Sequence, residues 1–142
     1  MRNRNWLFSV VLIVLMLALA ACGGKVSLNT DIGTMEFARA KGVSSFDTLT
    51  AKQGEQLLVL GFKSADLDEA MFNRYFVPAE DAEGAKARVN GTAYDCAAVG
   101  YQGNSGKDTV EYALIFAIPS NVDVGGATIE FKAPNYDWVN LK

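Results

Sequence analysis

The chain has 142 residues, half of them apolar and a fifth of them charged, so it can bury a core and fold as one domain. It contains no histidine, which excludes Ser-His-Asp and Cys-His nucleophile systems and histidine-ligated zinc or copper. The 13 basic and 16 acidic side chains give a formal net charge of -3 without a basic block. Because nucleic-acid binding through phosphates needs such a block, we expect no nucleic-acid partner.

The first residues have the organisation of a secretory signal peptide. Arg2 and Arg4 precede an apolar stretch over residues 6–21, in which Ser9 is the one polar side chain. This stretch is shorter than the roughly 20 residues that cross a bilayer as a helix, and it lacks the polar face of a core helix. A positive start, a short apolar run and small residues at its end are typical of export signals. We therefore predict that residues 1–21 are a cleaved signal peptide, helical in the full precursor.

The end of this run resembles the lipobox of bacterial lipoproteins. The residues are Leu19-Ala20-Ala21-Cys22, and they match the pattern at every position. The resemblance implies cleavage between Ala21 and Cys22 and acylation of Cys22. It also implies that Gly23, standing where an Asp would retain a lipoprotein in the inner membrane, favours the outer membrane of a two-membrane cell. The alternative is an ordinary signal peptidase site that ends in Ala18-Leu19-Ala20.

Acylation at Cys22 would make membrane lipid the first partner of this chain. Each buried methylene contributes about 0.8 kcal/mol, so two or three acyl chains form a stable anchor without a transmembrane helix. We expect a lipid-anchored, extracytoplasmic protein of the cell membrane or outer membrane. Residues 22–32 are predicted to be the lipidated cysteine and a tether, and residues 33–142 the folded domain. Cys96 then remains as a free thiol, so no intramolecular disulfide is expected.

Residues 33–142 predict an all-β domain of about seven short strands separated by turns, which is typical of a sandwich or a small barrel. One short helical segment is predicted at residues 64–72, capped by Ser64 or Asp66. The predicted strands cover residues 35–39, 56–63, 74–77, 86–90, 94–101, 111–118 and 128–132.

The alternation of side chains predicts how three of these strands lie. The segment 56–63 is apolar on both faces, which is typical of a central strand that is covered on each side or lies against a loop. Asn90-Gly91 favours a two-residue type I′ hairpin, with Tyr94, Cys96 and Ala98 on one face of the return strand. The segment 111–118 has large apolar side chains on one face and smaller ones on the other.

The order of these features resembles the telokin-like, immunoglobulin-like domain of many bacterial lipoproteins. The resemblance spans residues 33–133. It is carried by Gly61-Phe62-Lys63, a short strand into Pro78, Asn90-Gly91-Thr92-Ala93-Tyr94, the apolar strand that ends at Pro119, and Ile129-Glu130-Phe131. It implies an immunoglobulin-like β-sandwich and assigns no catalytic residues. Ser64 departs from the pattern, since an Asn often ends the long central strand of that family.

Four groups of side chains are candidates for chemistry. Cys96 is a potential nucleophile, but no histidine activates it and its face predicts a buried small side chain. The acidic groups Asp66, Asp68, Glu69 and Glu80, Asp81, Glu83 lack the spacing of a calcium loop, and we expect solvated loop charges there. We predict no catalytic residue, no metal site and no cofactor.

The aromatic residues of the loops are the remaining candidates. Tyr101, Tyr136 and Trp138 lie in or beside predicted loops, where aromatic side chains often anchor a partner. The alternative is that Trp138 and Val139 hold the C-terminal strand against the core.

These features favour a non-enzymatic envelope or surface module that binds a protein, a peptide or a cell-wall component. The alternative is a lipoprotein that binds a small ligand or metal for a transporter, and a pocket lined by Tyr101, Trp138 and acidic residues would favour it. An enzyme ranks third, because without histidine the available acid–base groups are carboxylates, tyrosine phenols such as that of Tyr94, and lysines. Two carboxylates that face each other across a cleft would favour it.

The Cys22→Ala substitution tests the lipoprotein prediction. The variant precursor should remain uncleaved at this site and change its membrane fractionation, because it lacks the sulfur that accepts the lipid. Cell fractionation and the mass of the processed form measure this. Unchanged processing and membrane partition would contradict the prediction.

Overall fold

The computed structural model describes residues 25–104 and 108–142. Residues 1–24, with the predicted signal peptide, Ala21 and Cys22, lie outside the described residues, as do residues 105–107. The described part consists of ten β-strands and one short helix, α1 (Phe72–Phe76). The strands are β1 (Ser27–Thr30), β2 (Gly33–Val43), β3 (Ser45–Phe46), β4 (Leu49–Thr50), β5 (Glu55–Ser64), β6 (Lys86–Val89), β7 (Thr92–Asn104), β8 (Val110–Pro119), β9 (Ile129–Lys132) and β10 (Val139–Asn140).

Eight of the strands form one curled antiparallel sheet, in the order β1-β2-β5-β8-β7-β6-β9-β10. β3 and β4 form a separate hairpin. The predicted all-β class is therefore confirmed. In the described ranges, no helix is long and apolar enough to span a membrane.

The sheet curls because β7 changes its partner along its length. Residues Thr92 to Asp95 pair with β6, whereas Cys96 and the residues that follow it pair with β8. A β-bulge lies between Cys96 and Ala98, where two residues of β7 oppose one of β8. Bulges bend a strand and increase its twist, so the part of the sheet beyond this point folds over the rest.

The main core fills the space between the two parts of the sheet. The ring of Phe62 on β5 lies 5.2 Å, centroid to centroid, from that of Phe131 on β9. Both side chains are fully buried, as are Leu114 and Phe116 on β8. Helix α1 closes one side of this core with Phe76, whose ring centroid lies 6.5 Å from that of Phe131.

A smaller core lies on the opposite face of β5 and β8. Leu57, Val59 and Ile115 form its centre, and Phe46 of the β3–β4 hairpin packs against them. The side chains of β5 therefore contact a core on both faces, as the apolar segment 56–63 predicts. The alternation predicted for residues 111–118 is confirmed in the same way, because Leu114 lies in the main core and Ile115 in the smaller one.

The hairpin predicted at Asn90-Gly91 is present between β6 and β7. Val89 pairs with Thr92, and both turn residues have positive φ, 49° at Asn90 and 88° at Gly91. A type I′ turn requires positive φ at both central residues, which Asn and Gly tolerate best. The Oδ1 atom of Asn90 also accepts a hydrogen bond from the backbone N–H of Thr128, at 3.0 Å.

The expected tether is wrong for part of its length. Residues 27–30 form β1, which pairs with β2 and buries Leu28 in the main core. The folded domain therefore begins before residue 33. The small polar residues of this segment are typical of a linker. An edge strand, however, buries only alternate side chains, and in β1 the buried side chain of Leu28 holds the strand against the core.

The segment between β5 and β6 also differs from the sequence prediction. The predicted strand 74–77 is mostly helix α1, and the predicted helical segment 64–72 begins with the last residue of β5. Phe72 and Phe76 are four residues apart, so a helical turn places both on one face, and their ring centroids lie 5.6 Å apart in the core. The aromatic and β-branched residues of segment 74–77 favour a strand, but the packing of these two rings in the core stabilises the helix instead.

Ala98 lies on the opposite face of β7 from the one predicted. Cys96 is buried in the main core, whereas Ala98 packs against the smaller one. The bulge between them inserts one residue and reverses the alternation.

Phe131→Ala is expected to lower the free energy of unfolding by about 3–5 kcal/mol, because it leaves a cavity among fully buried rings. Urea unfolding measures the change. Lys132→Ala is the matched control on the same strand and should change stability by less than about 0.5 kcal/mol. Similar losses in both variants would show that β9 does not close the main core.

Candidate functional site

The three aromatic residues predicted as a binding surface lie in three different environments. Tyr101 is 56% exposed on β7, and Tyr136 is 37% exposed in the turn after β9. Trp138 is half-buried just before β10. Among the described residues, no ring contact joins Tyr101 to Tyr136 or Trp138, and each has its own set of neighbours.

Tyr136 belongs to a hydrogen-bond network around Asp31, in the turn between β1 and β2. The carboxylate of Asp31 accepts hydrogen bonds from the hydroxyl of Tyr136, at 3.2 Å, and from the side-chain amide of Asn135, at 3.0 Å. The hydroxyl of Tyr75 donates to the carbonyl of Pro134, at 3.0 Å, beside the same carboxylate. Desolvation and the negative charge of Asp31 raise the pKa of Tyr136. This network ties the two ends of the sheet together and gives Tyr136 a structural role.

Trp138 also has a structural role. The guanidinium of Arg88 on β6 lies 3.9 Å from the centroid of its ring, a cation–π contact. The same guanidinium forms a 3.2 Å ion pair with Glu130 on β9. Trp138 therefore covers the outer surface of the β6–β9 pair, and Val139 packs against the main core.

Tyr101 lines an open cleft of about 540 Å³, together with Phe46, Asp47, Phe72, Val99 and Gly100. Phe46 belongs to the smaller core, and Phe72 belongs to the main core on the other face of the sheet. The cleft is lined by residues from both faces of the sheet and by three consecutive residues of β7. It must therefore extend across the edge of β7, from one face of the sheet to the other. The cleft is therefore built around a strand edge.

The edge is open because β6 leaves β7 early. Beyond Asp95, β7 pairs with β8 alone within the described chain, and only the N–H of Cys96 bonds outward, to the carbonyl of Ala85 at 3.0 Å. A second irregularity lies between Tyr101 and Gly103. Ala98 to Tyr101 are thus a regular four-residue stretch of edge, bounded by two bulges, that pairs with no second strand in the described ranges. Helix α1 lies close to β7.

Gly100 determines how close Phe46 comes to this edge. A Cβ atom at Gly100 would lie 2.7 Å from Cε1 of Phe46, closer than such atoms approach one another. The absence of a side chain at position 100 lets the ring lie directly on the strand. Asp47 follows at the tip of the β3–β4 hairpin with φ of 52°, a conformation that Asp and Asn adopt more readily than most residues.

On the other side of the edge, three rings pack against one another. The centroids of Phe72 and Tyr112 are 5.0 Å apart, those of Tyr101 and Tyr112 are 5.5 Å apart, and those of Phe72 and Tyr101 are 6.2 Å apart. The hydroxyl of Tyr112 donates a 2.9 Å hydrogen bond to Oε1 of Glu69. The carboxylate of Glu69 is thereby held beside the aromatic wall.

The electrostatics of this wall follow from burial and from Glu69. Desolvation, the hydrogen bond to Glu69 and its charge raise the pKa of Tyr112 to about 12. Desolvation and the same carboxylate raise the pKa of Tyr101. Both phenols therefore stay neutral over the physiological range. Asp47 lines the cleft, and the Glu69 carboxylate lies beside the cleft, where it contacts Tyr112. An aromatic face beside carboxylates suits a cationic group, through cation–π and ionic attraction together.

The cysteine and two of the acidic residues that the sequence singled out are buried or hydrogen-bonded within the fold. Burial raises the pKa of the Cys96 thiol to about 12, and this disfavours the reactive thiolate. Asp66 accepts a hydrogen bond from the backbone N–H of Thr34, and Asp68 accepts one from that of Ala70. Within residues 25–104 and 108–142, no group of three or more acidic or cysteine side chains is placed to hold a metal ion.

Comparison of the chain with protein-family models, with curated proteins and with solved structures found no match. The cleft and the N-terminal sequence are therefore the features of this chain that bear on its function.

Sequence reasoning identified Tyr101 but missed its neighbours Phe46, Asp47 and Phe72. These residues are distant in the sequence, and the fold brings them together from a hairpin, a helix and a strand. The four-residue spacing of Phe72 and Phe76 was a usable signal for the helix. Nothing in the local sequence links Phe46 to residue 100.

Glu69→Gln is expected to lower the pKa of Tyr112 from about 12 while leaving it above 10, because the amide removes the charge and burial remains. Titration of tyrosinate absorbance measures this, and Tyr112→Phe should remove the same transition. Because the folded-state pKa lies above the ordinary value of 10, the contribution of Tyr112 to stability is present below pH 10 and lost as the pH rises through 12. If the titration of Tyr112 is unchanged in Glu69→Gln, the hydrogen bond between Tyr112 and Glu69 is contradicted.

Proposed function

We propose that this chain is a lipid-anchored, non-enzymatic binding module of the bacterial envelope, with an immunoglobulin-like sandwich that presents the cleft around Tyr101 to a partner. The N-terminal sequence supports the location, since a signal-like segment runs into Leu19-Ala20-Ala21-Cys22. The curled all-β sheet, folded over one main core, is compatible with the sandwich. β1 begins at Ser27, so few residues separate the domain from an anchor at Cys22.

The observation that carries the binding proposal is the exposure of Tyr101 beside two buried rings. Tyr101 is 56% exposed and packs against Phe72 and Tyr112, so part of its ring is held by neighbours while the rest is available for contact. Rigid, amphipathic aromatic side chains are the usual anchors of protein interfaces. All three aromatic residues have neighbours within the fold, but Tyr101 is more exposed than Tyr136, at 56% against 37%, and than the half-buried Trp138. Tyr101 is therefore the stronger anchor.

The second candidate function is the binding of a small ligand on behalf of a transporter. The cleft volume of about 540 Å³ lies in the range of small-molecule sites. Such sites enclose most of the surface of their ligand, however, whereas this cleft is open along a strand edge. Trp138, which would have favoured a small-ligand pocket, lies against Arg88 and not in the cleft. A macromolecular partner is therefore the preferred proposal.

Site-specific photo-crosslinking in intact cells tests the proposal. A photoreactive phenylalanine analogue at position 101 should give a discrete adduct with an envelope component, whereas the analogue at exposed Tyr136 is the matched control and should not. The adduct should disappear in a Cys22→Ala background, because the unanchored chain does not meet its partner. Equal adducts at positions 101 and 136, or none at either, would contradict the proposal.

Gly100→Ala supplies a second variant that leaves Tyr101 in place. The new Cβ would displace Phe46 from the strand and narrow the cleft, so the yield of the adduct at position 101 should fall. Gly54→Ala is the control, since a Cβ there meets no atom within 4 Å, although its φ of 81° makes a small loss of stability expected in this variant also. Equal yields in both variants would argue against the Phe46 side of the cleft.

A further inference from the structure

The open edge of β7 indicates how a partner would be held in the cleft. Backbone N–H and C=O groups of an unpaired strand edge are a template for another strand, and proteins commonly protect such edges. Here the regular stretch Ala98 to Tyr101 is bordered by the bulges at Cys96/Ala98 and Tyr101/Gly103. These bulges limit the length over which pairing is possible to about four residues, or roughly 14 Å of strand. An edge of this length accepts a short segment and resists sheet-to-sheet aggregation.

The walls of the cleft lie on both sides of this edge. Phe46 packs against the smaller core, and Asp47 follows it and lines the cleft. Phe72 belongs to the main core, and Tyr101 contacts it. Glu69, fixed by the hydroxyl of Tyr112, adds a carboxylate to the second side. Each side of the edge therefore presents an aromatic surface and one negative charge.

This arrangement matches the alternation of a β-strand. Successive side chains of an added strand point to opposite faces, so one would reach toward Asp47 and the next toward Glu69. The side chains that complement both positions are basic, with aliphatic stems that cover the aromatic rings. The chain as a whole is acidic, with 16 acidic and 13 basic side chains, which also favours a basic partner.

From this geometry we infer that the cleft binds an extended peptide segment of a partner protein, added as a strand to the Ala98–Tyr101 edge, with two adjacent basic residues directed to Asp47 and Glu69. The inference rests on the proposed function, because it specifies the partner of the same cleft. Main-chain hydrogen bonds would supply affinity, and the two carboxylates would supply specificity.

Peptide binding to the membrane-extracted protein in detergent tests the inference. The probe is the capped, fluorescently labelled hexapeptide Thr-Val-Lys-Lys-Val-Thr, and its control is the same peptide with Glu in place of both Lys. Fluorescence anisotropy should show binding of the basic peptide that is at least about tenfold tighter than that of the acidic one, and weaker at high salt. Equal affinities of the two peptides would overturn the assigned specificity.

Two N-methylated forms of the basic peptide test strand addition itself. In one form the backbone nitrogens of the odd-numbered residues are methylated, and in the other those of the even-numbered residues. Only alternate N–H groups of an added strand face the protein, so one form should lose about tenfold in affinity while the other keeps most of it. Equal affinities of the two forms, whether both are retained or both lost, would overturn strand addition.

Charge-removing variants assign the carboxylates. Asp47→Asn preserves a side chain that tolerates positive φ, and Glu69→Gln preserves an acceptor for the hydroxyl of Tyr112. Each should weaken the basic peptide severalfold, whereas Glu80→Gln, which removes the same charge from an exposed loop outside the cleft, should not. If all three substitutions weaken peptide binding equally, the attraction comes from the overall charge of the protein. That result would overturn the assignment of the two carboxylates.

The outcomes also separate this inference from the proposed function. A single lysine with capped backbone ends and a free side-chain ammonium, Nα-acetyl-lysine amide, is a further probe. If it binds as tightly as the hexapeptide, the cleft binds an amine and not a strand, and the peptide assignment is overturned. A specific adduct at position 101 without binding of any peptide would overturn strand addition and leave the binding module in place. Absence of that adduct would contradict the binding module itself, whatever the peptides do.

Discussion

The change of partner along β7 is the constraint on which the rest of this structure depends. One strand pairs with β6 through residues 92–95 and with β8 from Cys96 onward, and the bulge between Cys96 and Ala98 makes the transition. Because the bulge bends the strand, β6 and β9 fold back over β5 and bury Phe62 against Phe131. The same departure of β6 leaves the later part of β7 without a second neighbour in the described chain. The core and the open edge therefore have one cause.

The open edge acquires its chemistry from elements on its two sides. The β3–β4 hairpin covers the smaller core and brings Phe46 onto Gly100, where the lack of a Cβ makes room for the ring. Helix α1 covers the main core and brings Phe72 to Tyr101. Both elements bury apolar surface, and the cleft is the space left between them. The cleft thus depends on the same packing that stabilises the domain.

The three aromatic residues predicted as a binding surface differ in how much of each side chain the fold leaves exposed. In the sequence, Tyr136 and Trp138 resemble Tyr101, because all three are aromatic residues in or beside predicted loops. In the fold, the hydroxyl of Tyr136 donates a hydrogen bond to Asp31, and the ring of Trp138 packs against the guanidinium of Arg88. Tyr101 shares Glu69 with Tyr112 and keeps one face in solvent. Sequence reasoning could name all three as candidates, because aromatic type and loop position are local properties. It could not rank them, since the ranking depends on partners that are tens of residues away.

The amino-acid sequence by itself determined the features that depend on neighbouring residues. These are the all-β class, the two-faced central strand over residues 56–63, the alternation over 111–118 and the turn at Asn90-Gly91, since each follows from side-chain period or from φ preference. The tertiary structure alone decided that residues 27–30 join the sheet, that Phe72–Phe76 is a helix and that Ala98 faces the smaller core. For the first two, burial of a few apolar groups against distant strands outweighs local propensity. For Ala98, the bulge inserts one residue and reverses the alternation. The cleft belongs to this second group, because it is formed where three distant segments meet.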